Sequence, residues 1–206
     1  MITVHREQLR LLCPSTAIPQ YLFRNMEEVL FDYCIADSPQ RLTHFVAQML
    51  HETSGLTSLV DTLDYSAEQI AARWPRRFAN VREARPFAHN PIALANRIYR
   101  RELGNRACGD GWWFNSRGLL RITGRTMYEQ IGQRLDIDLA ANPHLVITPD
   151  YALPAACEVW RMANGNALAD RNDVTRLTLA LTGTNDGLKS RWAWLDRTRA
   201  IWPLTH

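Results

Sequence analysis

The sequence predicts a mainly α-helical fold, because its apolar residues follow a coarse helical pattern, prolines separate the helical segments, and strand-like alternation is scarce. The best place for a short extended hairpin or an ordered loop is residues 112–122, and the irregular stretch 104–118 is expected to line a functional surface. Helices are predicted near residues 4–12, 19–35, 39–53, 66–74, 91–103, 124–134, 150–163, 172–183 and 188–201.

The composition predicts one globular domain that spans residues 1–206, with 46% hydrophobic and 22% charged residues. The net charge is +3, and nearly all of the positive charge comes from arginine, with Lys189 as the one lysine. This charge is too small to identify an anionic partner. The first residues lack the apolar run of a signal peptide, and no segment has the roughly 20 apolar residues of a membrane span. We therefore expect synthesis in the cytoplasm and no membrane insertion.

The helix predicted at 39–53 combines a clear start with an ionisable residue at its end. Ser38 is a natural N-cap and Pro39 suits the first helical position. Glu52 continues the apolar face, so burial and the negative end of the helix dipole would favour its protonated form, as in a general acid. In the alternative interpretation, Glu52 turns to solvent where the helix frays. The apolar face consists of Leu42, Phe45, Val46 and Met49.

A second carboxyl, Asp61, follows nine residues after Glu52, and the chain between them can curl back over the helix end. Glycoside hydrolysis requires two carboxyls across a cleft, about 6.5–9.5 Å apart in an inverting enzyme. In the alternative interpretation, Asp61 is an ordinary loop or N-cap carboxylate. The stretch 109–125 combines glycines, aromatic residues and arginines, which is typical of a sugar-binding groove and also suits stacked single-stranded nucleic acid.

The sequence predicts neither a metal site nor a cofactor. The His51-Glu52 pair lacks the second histidine of a zinc protease helix, because position 55 is Gly55. The remaining histidines are scattered, and the four cysteines form no Cys-x-x-Cys pair. We therefore expect a metal-free mechanism.

Several short motifs in order along the chain resemble glycoside hydrolase family 19, and most closely its branch of phage endolysins and bacterial chitinase-like lytic enzymes. The resemblance implies a lysozyme-like, two-lobed helical domain with a central substrate cleft and at most a small β hairpin. It also implies inverting hydrolysis of β-1,4 bonds in chitin or peptidoglycan. The motifs are His51-Glu52-Thr53-Ser54-Gly55, Leu63-Asp64-Tyr65-Ser66, Ala95-Asn96-Arg97-Ile98-Tyr99, Gly109-Asp110-Gly111-Trp112, Arg117-Gly118-Leu119, Ile122-Thr123-Gly124-Arg125 and Asn142-Pro143.

The resemblance also implies a role for individual residues. Glu52 resembles the general acid, Asp61 occupies the place of the general base, and Thr123 matches the residue that holds the attacking water. Arg117 and Arg191 resemble the arginines that orient the acidic pair of the family. Tyr65, Trp112 and Tyr128 resemble the aromatic residues that line its cleft. In the alternative interpretation, Arg191 is a surface residue, Thr123 a helix N-cap and Trp112 a core aromatic.

The chain departs from the family pattern around the predicted cleft. The family usually has Glu at Asp61, Gly at Ser116, Gln at Arg121, Asn at Met127 and Asn-Gly-Gly at 182–184. An arginine and a thioether replace amides that would grip a neutral sugar chain, and a cation suits a carboxylate of peptidoglycan better. We therefore expect a peptidoglycan strand that passes Trp112 and Arg121.

Alternative functions are a chitinase and a catalytically weakened glycan-binding module. A nucleic-acid binder has less support, because the arginines are dispersed and no recognition motif is present. The missing export signal fits a phage lysis enzyme released by a holin, or an antibacterial effector injected into a rival cell. The partners would then be an export machinery or an immunity protein, and the site of action the bacterial cell wall or periplasm.

Overall fold

The structure, a computed structural model, describes residues 2–16 and 25–204. It is mainly helical, with 56% helix, which confirms the predicted fold class. Within the described residues, every helix is too short or too polar to cross a membrane. The helices are α1 (Arg6–Leu12), α2 (Met26–Asp32), α3 (Pro39–Glu52), α4 (Ala67–Arg73), α5 (Val81–Ala84), α6 (Pro91–Ile98), α7 (Asp110–Trp113), α8 (Arg125–Leu135), α9 (Ala152–Met162), α10 (Gly165–Asp170), α11 (Val174–Thr182) and α12 (Leu188–Ile201).

Most of the predicted helices are found, and the differences have local causes. The helix predicted at 19–35 is seen as α2, while residues 19–24 of that prediction lie outside the described residues. The helix predicted at 91–103 ends at Ile98, before a loop with positive φ angles. The short helices α5, α7 and α10 were missed, since four to six residues carry little periodicity.

The extended hairpin predicted at 112–122 is wrong for its first residues, because Trp112 and Trp113 belong to α7. What remains of the extended structure is a pair of isolated antiparallel bridges, which join Val60 to Arg117 and Arg117 to Ile122. The buried Asn115 and Ser116 connect α7 to these bridges as an irregular segment.

The chain forms two compact units. The first unit runs to Leu59, includes the segment Gly118–Arg121 and resumes at His144. The second unit consists of Val60–Arg117 and Ile122–Pro143. Helices α1 to α3 and α9 to α12 therefore belong to the first unit, and α4 to α8 to the second.

Helix α3 is the central helix of the first unit. All residues from Leu42 to Leu50 are buried, so the helix is covered on every side and not only along the predicted apolar face. Ser38 caps it as predicted, since its Oγ accepts the backbone N–H of Arg41 at 3.4 Å. His44 is buried in this helix and its Nε2 lies 2.9 Å from Oδ1 of Asn172. Burial lowers the pKa of His44 to about 4, so this side chain is neutral near pH 7.

The second unit has its own apolar core, formed mainly by α4 and α6. Asp110, at the start of α7, is a buried charge beside this core, with 4% of its surface exposed. Its carboxylate binds the guanidinium of Arg125 through two contacts of 2.9 and 2.6 Å. It also accepts the backbone N–H groups of Arg106 at 2.8 Å and Ala107 at 3.0 Å. One carboxylate thereby fixes both the loop before α7 and the start of α8. The core residues include Leu63, Ile70, Phe78, Leu94 and Ile98.

We predict that Asp110→Asn lowers the free energy of unfolding by about 2 kcal/mol at pH 7. Burial alone would raise the pKa of Asp110. The bonds from Arg125 and from the two backbone N–H groups outweigh this effect and lower the pKa to about 2. Because the folded-state pKa is depressed, this stabilisation is complete above about pH 4 and is lost as the pH falls towards 2. Urea unfolding of both proteins between pH 2 and 7 measures the difference. Asp136→Asn, at the exposed end of α8, keeps the Asp110 contacts, so it is the control and should follow the wild type at every pH.

Candidate active site

Glu52 is the last residue of α3, and its side chain is 14% exposed. Its Oε1 accepts a hydrogen bond from Nη2 of Arg191 in α12 at 2.5 Å. Arg191 is itself only 4% exposed, so the two charges form a largely buried ion pair within the first unit. The structure therefore places Arg191 inside the protein and rules out the alternative interpretation as a surface residue.

Gln48 lies one helical turn before Glu52 and is 1% exposed. Its Oε1 accepts a hydrogen bond from Nη1 of Arg191, so that two side chains of α3 hold one guanidinium. Sequence reasoning missed Gln48, although a polar residue four positions before Glu52 inside a buried helix was a usable signal. The orientation of the Glu52 carboxylate consequently depends on Gln48 as well as on Arg191.

Arg121 contacts the backbone at the end of α3. Its Nε donates to the carbonyl oxygen of Glu52 at 2.7 Å, and its Nη2 donates to that of Ser58 at 3.3 Å. A cation at a helix C-terminus also interacts favourably with the helix dipole. Arg121 therefore binds the backbone around Glu52. Its role as a contact for a glycan remains a prediction.

The chain reverses direction immediately after Glu52. Ser54, Gly55 and Leu56 have φ angles of 50°, 71° and 63°, a left-handed conformation that only glycine adopts without cost. Thr53 stabilises the turn, because its buried Oγ1 donates to the carbonyl of Met49 at 2.8 Å and accepts the N–H of Leu56 at 2.9 Å. The turn gives α3 a fixed end in place of the fraying that the alternative interpretation of Glu52 required.

His51 lies beside the ion pair and packs against the start of α12. Its Nδ1 is 3.0 Å from Oγ of Ser190, and a Cβ atom at Gly187 would lie only 2.7 Å from its Nε2. Burial lowers the pKa of His51, and the charge of Arg191 lowers it further, whereas Glu52 raises it. Gly187 has a φ of 75°, so both its conformation and the lack of a side chain allow this approach.

Asp61 belongs to the second unit, where the segment 115–116 fixes its backbone. Its N–H donates to the carbonyl of Ser116 at 3.0 Å, and its own carbonyl accepts Nδ2 of the buried Asn115 at 2.8 Å. The carboxylate Oδ1 accepts the N–H of Leu63 at 3.1 Å. Burial raises the pKa of Tyr99 to about 12, and the charge of Asp61 contributes to this increase. Asp61 is therefore a partly exposed carboxylate on a well-supported loop.

Arg117 and Tyr128 build the loop that follows α7. The guanidinium of Arg117 donates to the carbonyl oxygens of Trp113 at 2.8 Å and Asn115 at 3.1 Å, and to the Tyr128 hydroxyl at 3.3 Å. Tyr128 is fully buried and its hydroxyl donates to the Asn115 carbonyl at 2.9 Å. The interpretation of Tyr128 as a cleft-lining aromatic is therefore corrected, since its ring has no exposed surface for a sugar.

The other predicted site residues of the second unit remain partly exposed. The Tyr65 ring packs edge-on against Trp74, with 5.6 Å between the ring centroids. Trp112 packs against the core of this unit, and Thr123 is partly exposed beside the buried Ile122. The roles of Tyr65, Trp112 and Thr123 towards a substrate stay predictions. Among the described residues, no group of three or more His, Cys, Asp or Glu side chains is placed to bind a metal ion.

We predict that Gln48→Leu lowers the free energy of unfolding by about 1–3 kcal/mol, because it leaves a buried N–H group of Arg191 without its acceptor. Gln48→Glu should instead retain most of the stability, since a carboxylate can accept the same bond. Chemical unfolding at pH 7 measures both effects, with Gln133→Leu on the exposed side of α8 as the control. Equal stabilities of Gln48→Leu and the wild type would contradict the proposed dependence of Arg191 on Gln48.

Comparison with known proteins identifies the family. No protein-family model matches the chain. A glycosyl hydrolase family 19 domain-containing protein from Haemophilus influenzae is 30% identical over 149 residues, which cover 71% of this chain and 72% of the relative. Chitinase C from Streptomyces griseus has the same fold, with a TM-score of 0.65 and 17% identity over 98% of this chain and 93% of that chain.

A second solved structure, a bacterial family 19 chitinase, gives a TM-score of 0.63 at 19% identity, covering 98% of this chain and 96% of that chain. At these identities the two solved structures establish the fold alone. The relative from Haemophilus influenzae, at 30% identity over more than two thirds of both chains, establishes the family. The resemblance in the motifs is thereby confirmed: the chain belongs to glycoside hydrolase family 19 and is a glycosidase.

Proposed function

We propose that this glycosidase degrades peptidoglycan by inverting hydrolysis of β-1,4 bonds, with Glu52 as general acid and Asp61 as general base. The observation that carries the proposal is the Glu52 carboxyl at the end of α3, 14% exposed and oriented by the buried Arg191. An acid must direct its proton towards the leaving oxygen. Arg191, which Gln48 holds in turn, donates to Oε1 of Glu52, so the proton of the acid would be carried by Oε2.

The base role of Asp61 rests on its partly exposed carboxylate. Oδ1 accepts the N–H of Leu63, whereas Oδ2 makes no hydrogen bond to the described part of the chain. A carboxylate oxygen that keeps its lone pairs accepts a proton from water, which is the task of the base in an inverting glycosidase. Thr123 would help to hold that water, as the family resemblance implies.

The choice of peptidoglycan is supported by the departures from the family pattern. Peptidoglycan carries carboxylates that chitin lacks, and Arg121 replaces a neutral amide of the family with a cation. Met127 replaces an amide of the family and is partly exposed on α8. Chitin is the second candidate, because both solved structures of this fold bear the name chitinase.

We further propose that the protein acts at the bacterial cell wall after synthesis in the cytoplasm. Release by a holin would make it a phage lysis enzyme. Injection into a rival cell would make it an antibacterial effector, with an immunity protein as its partner in the producing cell. Co-purification of a small protein that abolishes wall hydrolysis would favour the effector.

We predict that the wild type releases soluble muropeptides from purified Gram-negative peptidoglycan and that Glu52→Gln reduces the rate by about 100-fold or more. Asp61→Ala should cause a comparable loss, because the water is then no longer deprotonated. Mass spectrometry of the products identifies the bond that is cut, and NMR of the first products shows whether the anomeric configuration is inverted. Glu28→Gln, an exposed glutamate of α2, is the matched control and should retain full activity.

Three outcomes would contradict parts of the proposal. Activity on insoluble chitin with none on cell walls would assign the protein to chitin. Retention of configuration would exclude the base role of Asp61. Wall binding without hydrolysis, by a wild type that is shown to be folded, would favour the glycan-binding module.

A further inference from the structure

A pocket of about 340 Å³ lies within the second unit, in the loop between α6 and α7. Its volume falls within the range of about 300–1,000 Å³ that is typical of small-ligand sites. Arg100, Arg101 and Arg106 are among its lining residues, and its described lining contains no carboxylate. The pocket therefore has a local excess of positive charge, in contrast to the nearly balanced charge of the whole chain.

Each carboxylate near this loop that forms an ion pair does so with an arginine other than Arg100 and Arg101. Arg106 shares Glu129 with Arg125, at 3.1 and 3.6 Å. Arg100 and Arg101 form no ion pair within the described residues, and both are exposed. Two adjacent arginines thus line one pocket without a counter-charge from the described part of the chain. The engaged pairs are Glu102–Arg77, Asp110–Arg125 and Glu129–Arg106.

The wall of the pocket is fixed before any ligand binds. Asn105 is 5% exposed, its Nδ2 donates to the Tyr99 carbonyl at 2.9 Å, and its Oδ1 accepts the N–H of Arg125 at 3.0 Å. Asp110 binds two further N–H groups of the same loop. A Cβ atom at Gly111 would collide with the carbonyl of Ala95, so α7 packs directly on α6. A fixed wall lowers the entropy cost of binding.

The pocket also adjoins one of the residues that the family resemblance assigns to the glycan. Asn96 lines the pocket, and its Oδ1 accepts the backbone N–H of Trp112 at 3.0 Å. Trp112 is partly exposed. A glycan strand stacked on this ring would bring any group that it carries close to the pocket.

We propose that this pocket binds the free carboxylates of a peptidoglycan stem peptide through Arg100 and Arg101. The inference rests on the proposed function and deepens it, because it makes the peptide-bearing glycan the preferred substrate. Guanidinium groups bind carboxylates through paired, charge-assisted hydrogen bonds. Chitin is uncharged and offers no such group, so the pocket would contribute nothing to its binding.

Cys108 provides a direct reporter, since its free thiol is exposed and lines the pocket. We predict that a stem tetrapeptide with free carboxylates slows the alkylation of Cys108 by N-ethylmaleimide at least fivefold, with saturation. Cys34, an exposed free thiol of the first unit, is the internal control and should react at an unchanged rate. Mass spectrometry of tryptic peptides follows both thiols in the same sample.

The double variant Arg100→Gln with Arg101→Gln should lose this protection and bind the tetrapeptide at least tenfold more weakly. The control variant Arg76→Gln with Arg82→Gln removes the same charge from exposed positions of the same unit and should behave as the wild type. An unchanged reactivity of Cys108 with the tetrapeptide would overturn the proposal. Equal protection by inorganic phosphate at the same concentration would overturn the assignment to a peptide.

A hydrolysis assay separates this inference from the proposed function. On peptide-bearing glycan the double variant should raise KM at least tenfold, whereas on amidase-treated, peptide-free strands it should match the wild type. Equal losses on both substrates would overturn the peptide role. Protection of Cys108 by the tetrapeptide, together with no hydrolysis of any glycan by the wild type, would support the pocket and refute the proposed function.

Discussion

The burial of the Arg191 charge is the constraint on which the first unit depends. A guanidinium that is 4% exposed has lost nearly all of its water, so its N–H groups require acceptors from the protein. Gln48 and Glu52 provide them from α3, 143 and 139 residues away in sequence. The contact therefore forms only when α12 packs on α3. The direction of the Glu52 carboxyl is consequently a property of the packed unit and not of the helix alone.

Local rules were sufficient for the helix that carries Glu52. An N-cap serine, a proline at the first position and a regular apolar face predicted the start of α3 correctly and its end to within one residue. The same rules did not predict the burial of the helix. An amphipathic pattern predicts one buried face, whereas α3 is buried on all sides from Leu42 to Leu50. Polar residues such as Gln48 and His44 lie outside the predicted apolar face, yet both are buried and bind partners in distant segments.

The positions of the irregular loops could be predicted from the sequence, but the contacts of their side chains could not. The role of an arginine is difficult to predict from sequence, since its side chain bonds a ligand or a backbone carbonyl equally well. Arg117 and Arg121 donate to carbonyl oxygens of loops, where they hold segments that have no regular secondary structure. The left-handed angles at Ser54 and Leu56 were equally invisible, because neither residue type favours them. Only the folded neighbourhood stabilises such angles.

The net charge of +3 does not show that the arginines of this chain have different roles in the structure. Some guanidinium groups support loops and others neutralise buried carboxylates such as Asp110, so neither kind attracts an external anion. Only arginines that bind neither a carbonyl nor a carboxylate of the protein remain for a ligand. Within the described residues, Arg100 and Arg101 are two such arginines. A neutral polymer gains nothing from such a pair, whereas a glycan with peptide carboxylates does. Under the proposed function, discrimination between chitin and peptidoglycan would therefore depend on the arginines that the fold leaves unpaired, and composition alone does not identify them.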